Sequence, residues 1–236
     1  MKIVVLTGAG ISAESGIKTF RDAGGLWEGH KIEEVATPEA WRKNPTLVNQ
    51  FYNERRRQLL NTKPNEAHKI LVALEQFHTV SIITQNVDDL HERAGSSEVL
   101  HLHGELRSVR SSLNPNLRYR WDKDLNHDDL CELGSPLRPD IVWFGEDVPK
   151  IADAIDIVET AEMLVIIGTS LAVYPAAGLI HYAPRSIPII YIDKNPNIDQ
   201  AKPNRSNLKV YSANASEALS QMIEDYQLMS AHPNKI

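Results

Sequence analysis

Short apolar runs recur along the chain, and most of them end at glycine or at small polar residues. The clearest runs are residues 3–6, 80–84 and 163–167. Uniform apolar character over such short lengths predicts parallel strands that are buried on both faces. Further strands are predicted at residues 99–102, 141–144 and 187–192.

Segments between these runs repeat their apolar residues at helical spacing. In residues 65–77, Ala67, Ile70, Leu71 and Leu74 form one apolar stripe, which predicts an amphipathic helix. Other helices are predicted at residues 12–17, 38–42, 46–60, 151–160 and 217–228.

The alternation of strands and helices indicates an α/β fold with a parallel sheet that carries helices on both faces. Residues 106–136 depart from this pattern because they are polar and rich in turns, so they predict a small appended module. Residues 20–30 are predicted to be a loop. Ligands of such sheets bind at the carboxyl ends of the strands, where this chain places glycines, amides and a histidine.

Composition narrows the function classes. The net charge of −6 argues against a general nucleic-acid or membrane surface, and no apolar stretch reaches the ~20 residues that cross a bilayer. The single cysteine, Cys131, excludes an internal disulfide and a four-cysteine metal site, and it fits a reducing compartment. Residues 1–3 lead directly into a predicted strand without a signal peptide, so the cytoplasm is the expected location.

A glycine-rich turn follows the first strand at residues 8–13, where Gly8 and Gly10 let the backbone approach a phosphate. A tight strand-to-helix turn without a ligand is the alternative. A dehydrogenase would need an acidic residue ~20 positions later at a strand end. Glu28 has that spacing but lies in the predicted loop, which argues against hydride transfer.

Amide and carboxylate side chains follow the second strand at Gln85, Asn86 and Asp88. They suit a carboxamide or a ribose, which needs both donors and acceptors. A helix N-cap near Asp88 is the alternative. Strand alternation places His101 and His103 on one face. One of them could be a general base, or both could bind a metal, although no third ligand is clear. Hydrogen-bonded structural histidines are the alternative.

Tyr52 and Arg55 are three residues apart in a predicted helix and therefore share a face. A phenol beside a guanidinium forms a receptor for a carboxylate. A core tyrosine next to a solvated basic face is the alternative.

Together these motifs resemble the sirtuin family over nearly the whole chain. The matching motifs are residues 8–17 with Thr19, Phe20 and Arg21, residues 84–88, residues 103–105, residues 142–146 and residues 168–170. The resemblance implies a Rossmann-like domain of residues 1–29, 78–105 and 138–236. Residues 30–77 and 106–137 are then the insertions that form a smaller domain, as a helical module and a zinc-free small module.

The resemblance implies that NAD is consumed as a co-substrate and that His103 is the general base toward a ribose hydroxyl. The residues expected to bind NAD on this basis are Gly8, Ala9, Gly10, Ser12, Ala13, Glu14, Phe20, Arg21, Trp27, Gln85, Asn86, Asp88, Gly168, Thr169, Ser170, Asp193, Lys194, Asn195 and Ala215.

The closest resemblance is to the sirtuins that remove malonyl and succinyl groups. Tyr52 and Arg55 then receive the acyl carboxylate, and the small Ala36 opens the acyl pocket. The peptide is expected to lie extended beside Val142, Trp143 and Phe144. Most sirtuins hold a structural zinc with four cysteines in the small module, so with Cys131 alone we expect no zinc here. Trp121, Tyr119 and a short strand pairing are expected to hold that module instead.

The function implied by the resemblance is an NAD-dependent protein-lysine deacylase that releases nicotinamide and O-acyl-ADP-ribose from acyl-lysine proteins or peptides. Its acyl groups would be succinyl and malonyl, with acetyl in addition. A protein ADP-ribosyltransferase and a non-catalytic NAD or ADP-ribose sensor are the alternatives. We expect a monomer that binds neither nucleic acid nor a membrane.

Overall fold

A computed structural model of the chain describes residues 1–18, 29–201 and 207–229. Most of the predicted loop at residues 20–30 lies outside these ranges, as do Phe20, Arg21 and Trp27. The strands are β1 (Lys2–Thr7), β2 (Thr79–Thr84), β3 (Val99–His101), β4 (Gly104–Ser111), β5 (Arg118–Arg120), β6 (Leu137–Ile141), β7 (Met163–Ile167), β8 (Ile189–Ile192) and β9 (Leu208–Tyr211). The α-helices are α1 (Ala9–Ser12), α2 (Ile32–Val35), α3 (Pro38–Lys43), α4 (Pro45–Asn61), α5 (Glu66–Leu74), α6 (Leu90–Ala94), α7 (Ile151–Glu159), α8 (Ile198–Ala201) and α9 (Ala215–Tyr226), and 3-10 turns span Ala13–Ser15 and Ala176–Tyr182.

Six strands form a parallel sheet in the order β3-β2-β1-β7-β8-β9. Alternation along β1 sends Ile3 and Val5 to one face and Val4 and Leu6 to the other. Helices α5 and α9 cover the first face, and α7 with the turn Ala176–Tyr182 covers the second. Both faces of the sheet are therefore buried, which is why its central strands are uniformly apolar.

A second, antiparallel sheet has the order β5-β4-β6 and lies apart from the first. Its own core consists of Val109, Leu125, Cys131 and Leu137. Tyr119 and Trp121 pack against this core together with Leu117, and β4 pairs with β5, as the sequence predicted. The α/β prediction, with a parallel sheet and a separate small domain, is confirmed.

Helices α2, α3 and α4 form a helical module with a third core of its own. Val48, Phe51, Tyr52 and Leu59 of α4 pack in this core against Trp143. The predicted helices at residues 38–42 and 46–60 are confirmed, each with one or two further residues at its ends. None of the helices that the structure describes has the length and apolarity needed to cross a membrane.

Two element predictions were wrong. The helix expected from residue 12 begins at Ala9, because Gly8 adopts an extended conformation and starts the turn there. The strand expected at residues 141–144 ends at Ile141 and belongs to the antiparallel sheet as β6. Strand β9 was not predicted.

Candidate functional site

A cavity of about 640 Å³ opens at the carboxyl ends of β1, β2, β7 and β8. This volume lies within the range of small-molecule and cofactor pockets. Most of the residues expected to bind NAD line it together: Gly8, Ala9, Gly10, Ala13, Glu14, Gln85, Asn86, Asp88, Gly168, Thr169, Ser170, Asp193, Lys194, Asn195 and Ala215. The structure therefore brings distant motifs into one crevice.

Two glycine turns meet at the floor of this cavity. A Cβ atom on Gly10 would lie 2.5 Å from the Gly168 Cα atom, and one on Gly8 would lie 2.7 Å from the Gly168 carbonyl oxygen. Gly168 also has a φ of 63°, which disfavours other residues. Glycine is therefore required at all three positions for the ends of β1 and β7 to approach each other.

Ser12 does not line the cavity, but it holds two residues that do. Its buried hydroxyl donates to the Asp88 Oδ2 atom at 2.9 Å and accepts from the Asn86 side-chain amide at 3.2 Å. Burial raises the pKa of Asp88 to about 6, although the hydrogen bonds from the Leu90 backbone and Ser12 oppose that shift. The carboxylate is therefore charged at neutral pH but close to its titration range.

His103 lines the cavity, and its Nδ1 atom lies 3.1 Å from the Gln85 carbonyl oxygen. A carbonyl only accepts, so Nδ1 carries the proton and Nε2 keeps its lone pair. Burial lowers the pKa of His103 below its usual value, against the effect of the Gln85 hydrogen bond. The ring is thus a neutral base at physiological pH.

His101 has a different environment from His103. Strand β3 ends at His101, so strand alternation does not extend to His103. His101 is 5% exposed and does not line the cavity. Its ring lies between the Asn86 carbonyl oxygen and the Glu92 carboxylate.

Tyr52 and Ala36 lie in the cavity wall and are almost fully buried. The Trp143 Nε1 atom donates to the Tyr52 hydroxyl oxygen at 3.0 Å. Burial raises the pKa of Tyr52, while the Trp143 hydrogen bond and the charges of Arg138 and Arg55 act against this rise. The phenol is therefore a neutral hydrogen-bond donor.

Arg55 is not among the residues that line the cavity. Its guanidinium donates to the Phe51 carbonyl oxygen at 2.6 Å and lies 3.8 Å above the centre of the Phe51 ring. The positive charge of Arg55 still acts on the Tyr52 phenol and favours a lower pKa of that group. The structure therefore places the two side chains near each other, but only Tyr52 on the cavity wall.

Val142, Trp143 and Phe144 also line the cavity, next to Tyr52 and Ala36, and 43% of Phe144 is exposed. The backbone of this segment is tied down, because Val142 N donates to the His103 carbonyl and Phe144 N to the Ala36 carbonyl. The segment thus joins the turn that carries His103 to the helical module.

Several residues of the site were missed in the sequence. Glu146 lines the cavity and accepts hydrogen bonds from the Arg138 guanidinium at 2.7 Å and from the Trp143 backbone at 2.8 Å. Residues 172–175 also line it, and their position directly after the turn at Ser170 was a signal for them. Others that line the cavity are Lys18, Val87, Ile141, Gly145, Val148, Ile192, Ala213 and Asn214.

The N-terminus of α9 also lines the cavity, through Asn214 and Ala215. Glu14 binds there through Ser216, whose backbone N–H donates to its carboxylate at 3.0 Å. The Asn214 Oδ1 atom is buried at this end and has no hydrogen-bond partner among the described residues. This acceptor and the side-chain amides of Gln85 and Asn86 line the same cavity, and together they fit a dinucleotide, which has several polar groups.

Within the ranges that the structure describes, no group of three or more His, Cys, Asp or Glu side chains could hold a metal ion. The Cys131 Sγ atom lies 3.3 Å from the Ser111 hydroxyl and 3.2 Å from the Ser135 hydroxyl. These hydroxyls lower the pKa of Cys131 to about 7. Hydrogen bonds and apolar packing therefore occupy the centre of the small module.

Comparison with known protein families finds one matching model, that of the Sir2 family, over residues 8–175. A protein of Helicobacter pylori strain J99 named NAD-dependent protein deacylase is 58% identical over 224 residues, which are 94% of this chain and 93% of that protein. A Bacteroides thetaiotaomicron protein of the same name is 51% identical over 94% of this chain and 97% of its own length.

Solved structures agree with this assignment. A mutant Sir2 homologue in complex with ADP-ribose matches with a TM-score of 0.87 and 38% identity, over 99% of this chain and 95% of that chain. A Sir2 homologue in complex with NAD matches with a TM-score of 0.83, also at 38% identity, over 95% of this chain and 88% of that chain. The matched family residues include the glycine turn, the amides after β2 and His103, so this chain belongs to the Sir2 family, the sirtuins.

Proposed function

We propose that this protein is an NAD-dependent protein-lysine deacylase that removes succinyl and malonyl groups, and acetyl groups in addition, with release of nicotinamide and O-acyl-ADP-ribose. The relatives named NAD-dependent protein deacylase support the reaction class. The observation that carries the proposal is the position of His103 as a neutral base in the wall of a nucleotide-sized cavity.

Bound NAD supplies a ribose carbon that accepts the acyl oxygen as nicotinamide leaves. The glycine turns at Gly8 and Gly168 would hold its pyrophosphate. Asn86 and Asp88, braced by Ser12, hold the nicotinamide end and its ribose. His103 Nε2 would accept a proton from a ribose hydroxyl, because Nδ1–H is donated to the Gln85 carbonyl oxygen.

The acyl preference is supported by the wall around Tyr52. The phenol is held by Trp143, and the positive charges of Arg138 and Arg55 act on it against the negative charge of Glu146. An acyl carboxylate would accept from the phenol and gain from these positive charges. Ala36 beside it leaves room that a larger side chain would fill.

The peptide binds along residues 142–146. Phe144 is exposed at the cavity mouth, and the backbone of this segment is already fixed on both sides by His103 and Ala36. An extended substrate can therefore add its own backbone hydrogen bonds without ordering this segment. A solved Sir2 structure that contains a deacetylated peptide and an acetyl ADP-ribose is similar to this chain at 29% identity and a TM-score of 0.77.

The test is to incubate the protein with NAD and matched acetyl-, malonyl- and succinyl-lysine peptides and to weigh the products. We expect acyl-ADP-ribose and free lysine peptide, with the highest kcat/KM on the two acidic acyl groups. His103→Ala should lose turnover by about 10²–10⁴-fold and remain folded by circular dichroism. ADP-ribose on the peptide would indicate the transferase instead, and absence of nicotinamide release would indicate a sensor.

A second variant tests the acyl receptor. Arg55→Met should lower kcat/KM for the succinyl peptide about 10-fold or more while lowering that for the acetyl peptide less, because only the former has a distal carboxylate. Arg57→Met is the matched control, since Arg57 lies on the same helix but pairs with Asp124 at the surface. An equal loss on both peptides would make Arg55 a structural residue.

A further inference from the structure

His101 is pinned on both sides by groups that accept hydrogen bonds. Its Nδ1 atom lies 3.1 Å from the Asn86 carbonyl oxygen, and its Nε2 atom lies 2.6 Å from the Glu92 Oε1 atom. The ring is 5% exposed, whereas the Glu92 side chain is 39% exposed. A buried imidazole is thus held between one backbone carbonyl and one carboxylate.

Two acceptors require two donors on the ring. A neutral imidazole carries one N–H, so in one of these two contacts the lone pair of the ring nitrogen would face the lone pair of an acceptor oxygen without a proton between them. Only the imidazolium satisfies both acceptors. His103, two residues later, contacts one carbonyl and keeps its second nitrogen for the cavity, so the two histidines have opposite charge states.

The charged groups around His101 favour the same state. Burial alone lowers the pKa of His101, but the hydrogen bond and charge of Glu92 outweigh it, Glu105 adds to them, and the pKa lies above its usual value. Asp88 is a further negative neighbour, and the nearby His91 is kept neutral by burial.

The contact with Asn86 matters because the backbone carbonyl and the side-chain amide of this residue make separate hydrogen bonds. Its side-chain amide reaches Ser12 beside Asp88, and its carbonyl oxygen accepts from His101. Its backbone N–H is held by the Thr84 hydroxyl at 3.0 Å. His101 therefore anchors the backbone carbonyl of Asn86, a residue of the cavity lining whose side-chain amide is held by Ser12.

We propose that His101, kept as an imidazolium by Glu92, is a positioning residue of the reaction, which holds the Asn86 turn in the geometry that binds the nicotinamide end of NAD. This inference rests on the proposed function, because it uses the assignment of Asn86 and Asp88 to that end. His101 itself does not touch the substrate.

Loss of the His101 proton has a defined effect. The neutral ring keeps its Nε2–H, because a hydrogen bond to a carboxylate is stronger than one to a carbonyl. Nδ1 then turns a lone pair toward the Asn86 carbonyl, and the turn loses its anchor. In Glu92→Gln, the amide can donate to Nε2, so the neutral ring keeps Nδ1–H for Asn86.

The experiment is the pH profile of kcat/KM for NAD between pH 7 and pH 10, with a saturating acyl peptide. The wild-type protein should lose about tenfold per pH unit above the His101 pKa. The Glu92→Gln variant should lack this alkaline decline. A purely structural Glu92 would instead lower activity at every pH and leave the decline in place.

Two control variants share the chemistry but not the position. His78 is a buried histidine that bonds the Leu228 carbonyl oxygen at 2.7 Å, and Glu98 accepts from the Ser81 hydroxyl at 2.7 Å. His78→Gln and Glu98→Gln should both keep the wild-type decline. Loss of the decline in either control would overturn the assignment to His101.

Nitrogen-15 NMR of histidine-labelled protein tests the charge state without turnover. At pH 7.5 the His101 nitrogens, assigned by comparison with His101→Gln, should both have imidazolium shifts, and those of His103 should not. A neutral His101, or an unchanged alkaline decline in Glu92→Gln, overturns the proposal. If the wild-type protein releases no nicotinamide, the proposed function fails, while the NMR result still decides the state of His101.

Discussion

At the residue scale, the site depends on side chains whose surroundings set their charge state, so that two histidines differ in charge. His103 is neutral because it meets one acceptor, and His101 is charged because it meets two. Burial raises the pKa of Asp88 toward neutral pH, and the hydrogen bond from Ser12 opposes that rise. The proposed reaction therefore requires a charged Asp88 together with a neutral His103.

This requirement predicts an acid limit to activity. The pKa of Asp88 is raised to about 6, so kcat/KM for NAD should be constant at neutral pH and fall below about pH 6 as the carboxylate takes up a proton. The pKa of His103 is also below its usual value, so its protonation deepens the same decline at lower pH.

Ser12→Ala tests the Asp88 part of this decline. It removes a donor to the carboxylate, so the acid limit should move about one pH unit upward. Ser15→Ala in the same segment is the control and should keep the wild-type limit. A pH profile of Ser12→Ala that coincides with the wild type would contradict the role of Asp88.

At the element scale, the N-cap of one short helix holds the glycine turn after β1 in place. The Asn65 side chain caps α5 by accepting from Ala67 N and His68 N. The same side chain donates to the Ile11 carbonyl of α1 at 2.8 Å. The cap thus links a helix on the sheet face to the glycine turn that lines the cavity.

Two asparagine caps can be compared directly. Asn65→Ala and Asn44→Ala each lose an N-cap and should each cost about 1 kcal/mol in the free energy of unfolding. Asn44 caps α4 through Leu47 N alone, so only Asn65→Ala should also weaken NAD binding. Urea unfolding and NAD titration measure the two effects. Equal NAD affinity in both variants would show that the cap of α5 does not contribute to NAD binding.

Elements were predictable where one interaction decides them. The central strands are apolar because both faces are buried, and that pattern is visible in the sequence. Strand β6 carries Arg138 and Asp140, which are buried because they bond Glu146 and Ser108 from other segments. The local sequence pattern therefore does not predict this strand. Likewise, the motif spacing predicted that Tyr52 lies at the site, but the stacking of Arg55 on its own helix depends on tertiary geometry.

At the scale of the whole molecule, the fold encloses titratable groups that the reaction does not use. The rings of His68 and His91 are fully buried under the sheet, with centroids 4.9 Å apart. Burial lowers the pKa of His68 to about 4 and that of His91 well below its usual value. Both are neutral in the folded protein.

These histidines predict acid-sensitive stability. Above pH 6.5 they are neutral in both states, and below it only the unfolded chain takes up protons, so stability falls as pH falls toward 4. His68 alone should remove on the order of 3 kcal/mol by pH 4. Urea unfolding from pH 7.5 to pH 4.5 should show a shallower loss for His68→Gln and the wild-type loss for the exposed His127→Gln. Parallel curves for all three proteins would contradict this.

The walls of the cavity come from strand ends that are far apart in the chain, from Gly8 to Ala215, and Glu14 is tied to Ser216. During synthesis the first strand leaves the ribosome long before β7 can pair with it. At ~5–20 residues per second, the interval between the first and last wall residues is about 10 to 40 seconds. Throughout that interval NAD has no complete binding site, so the nucleotide can stabilise the finished protein but cannot guide the nascent one, whose apolar strands must be shielded by other means.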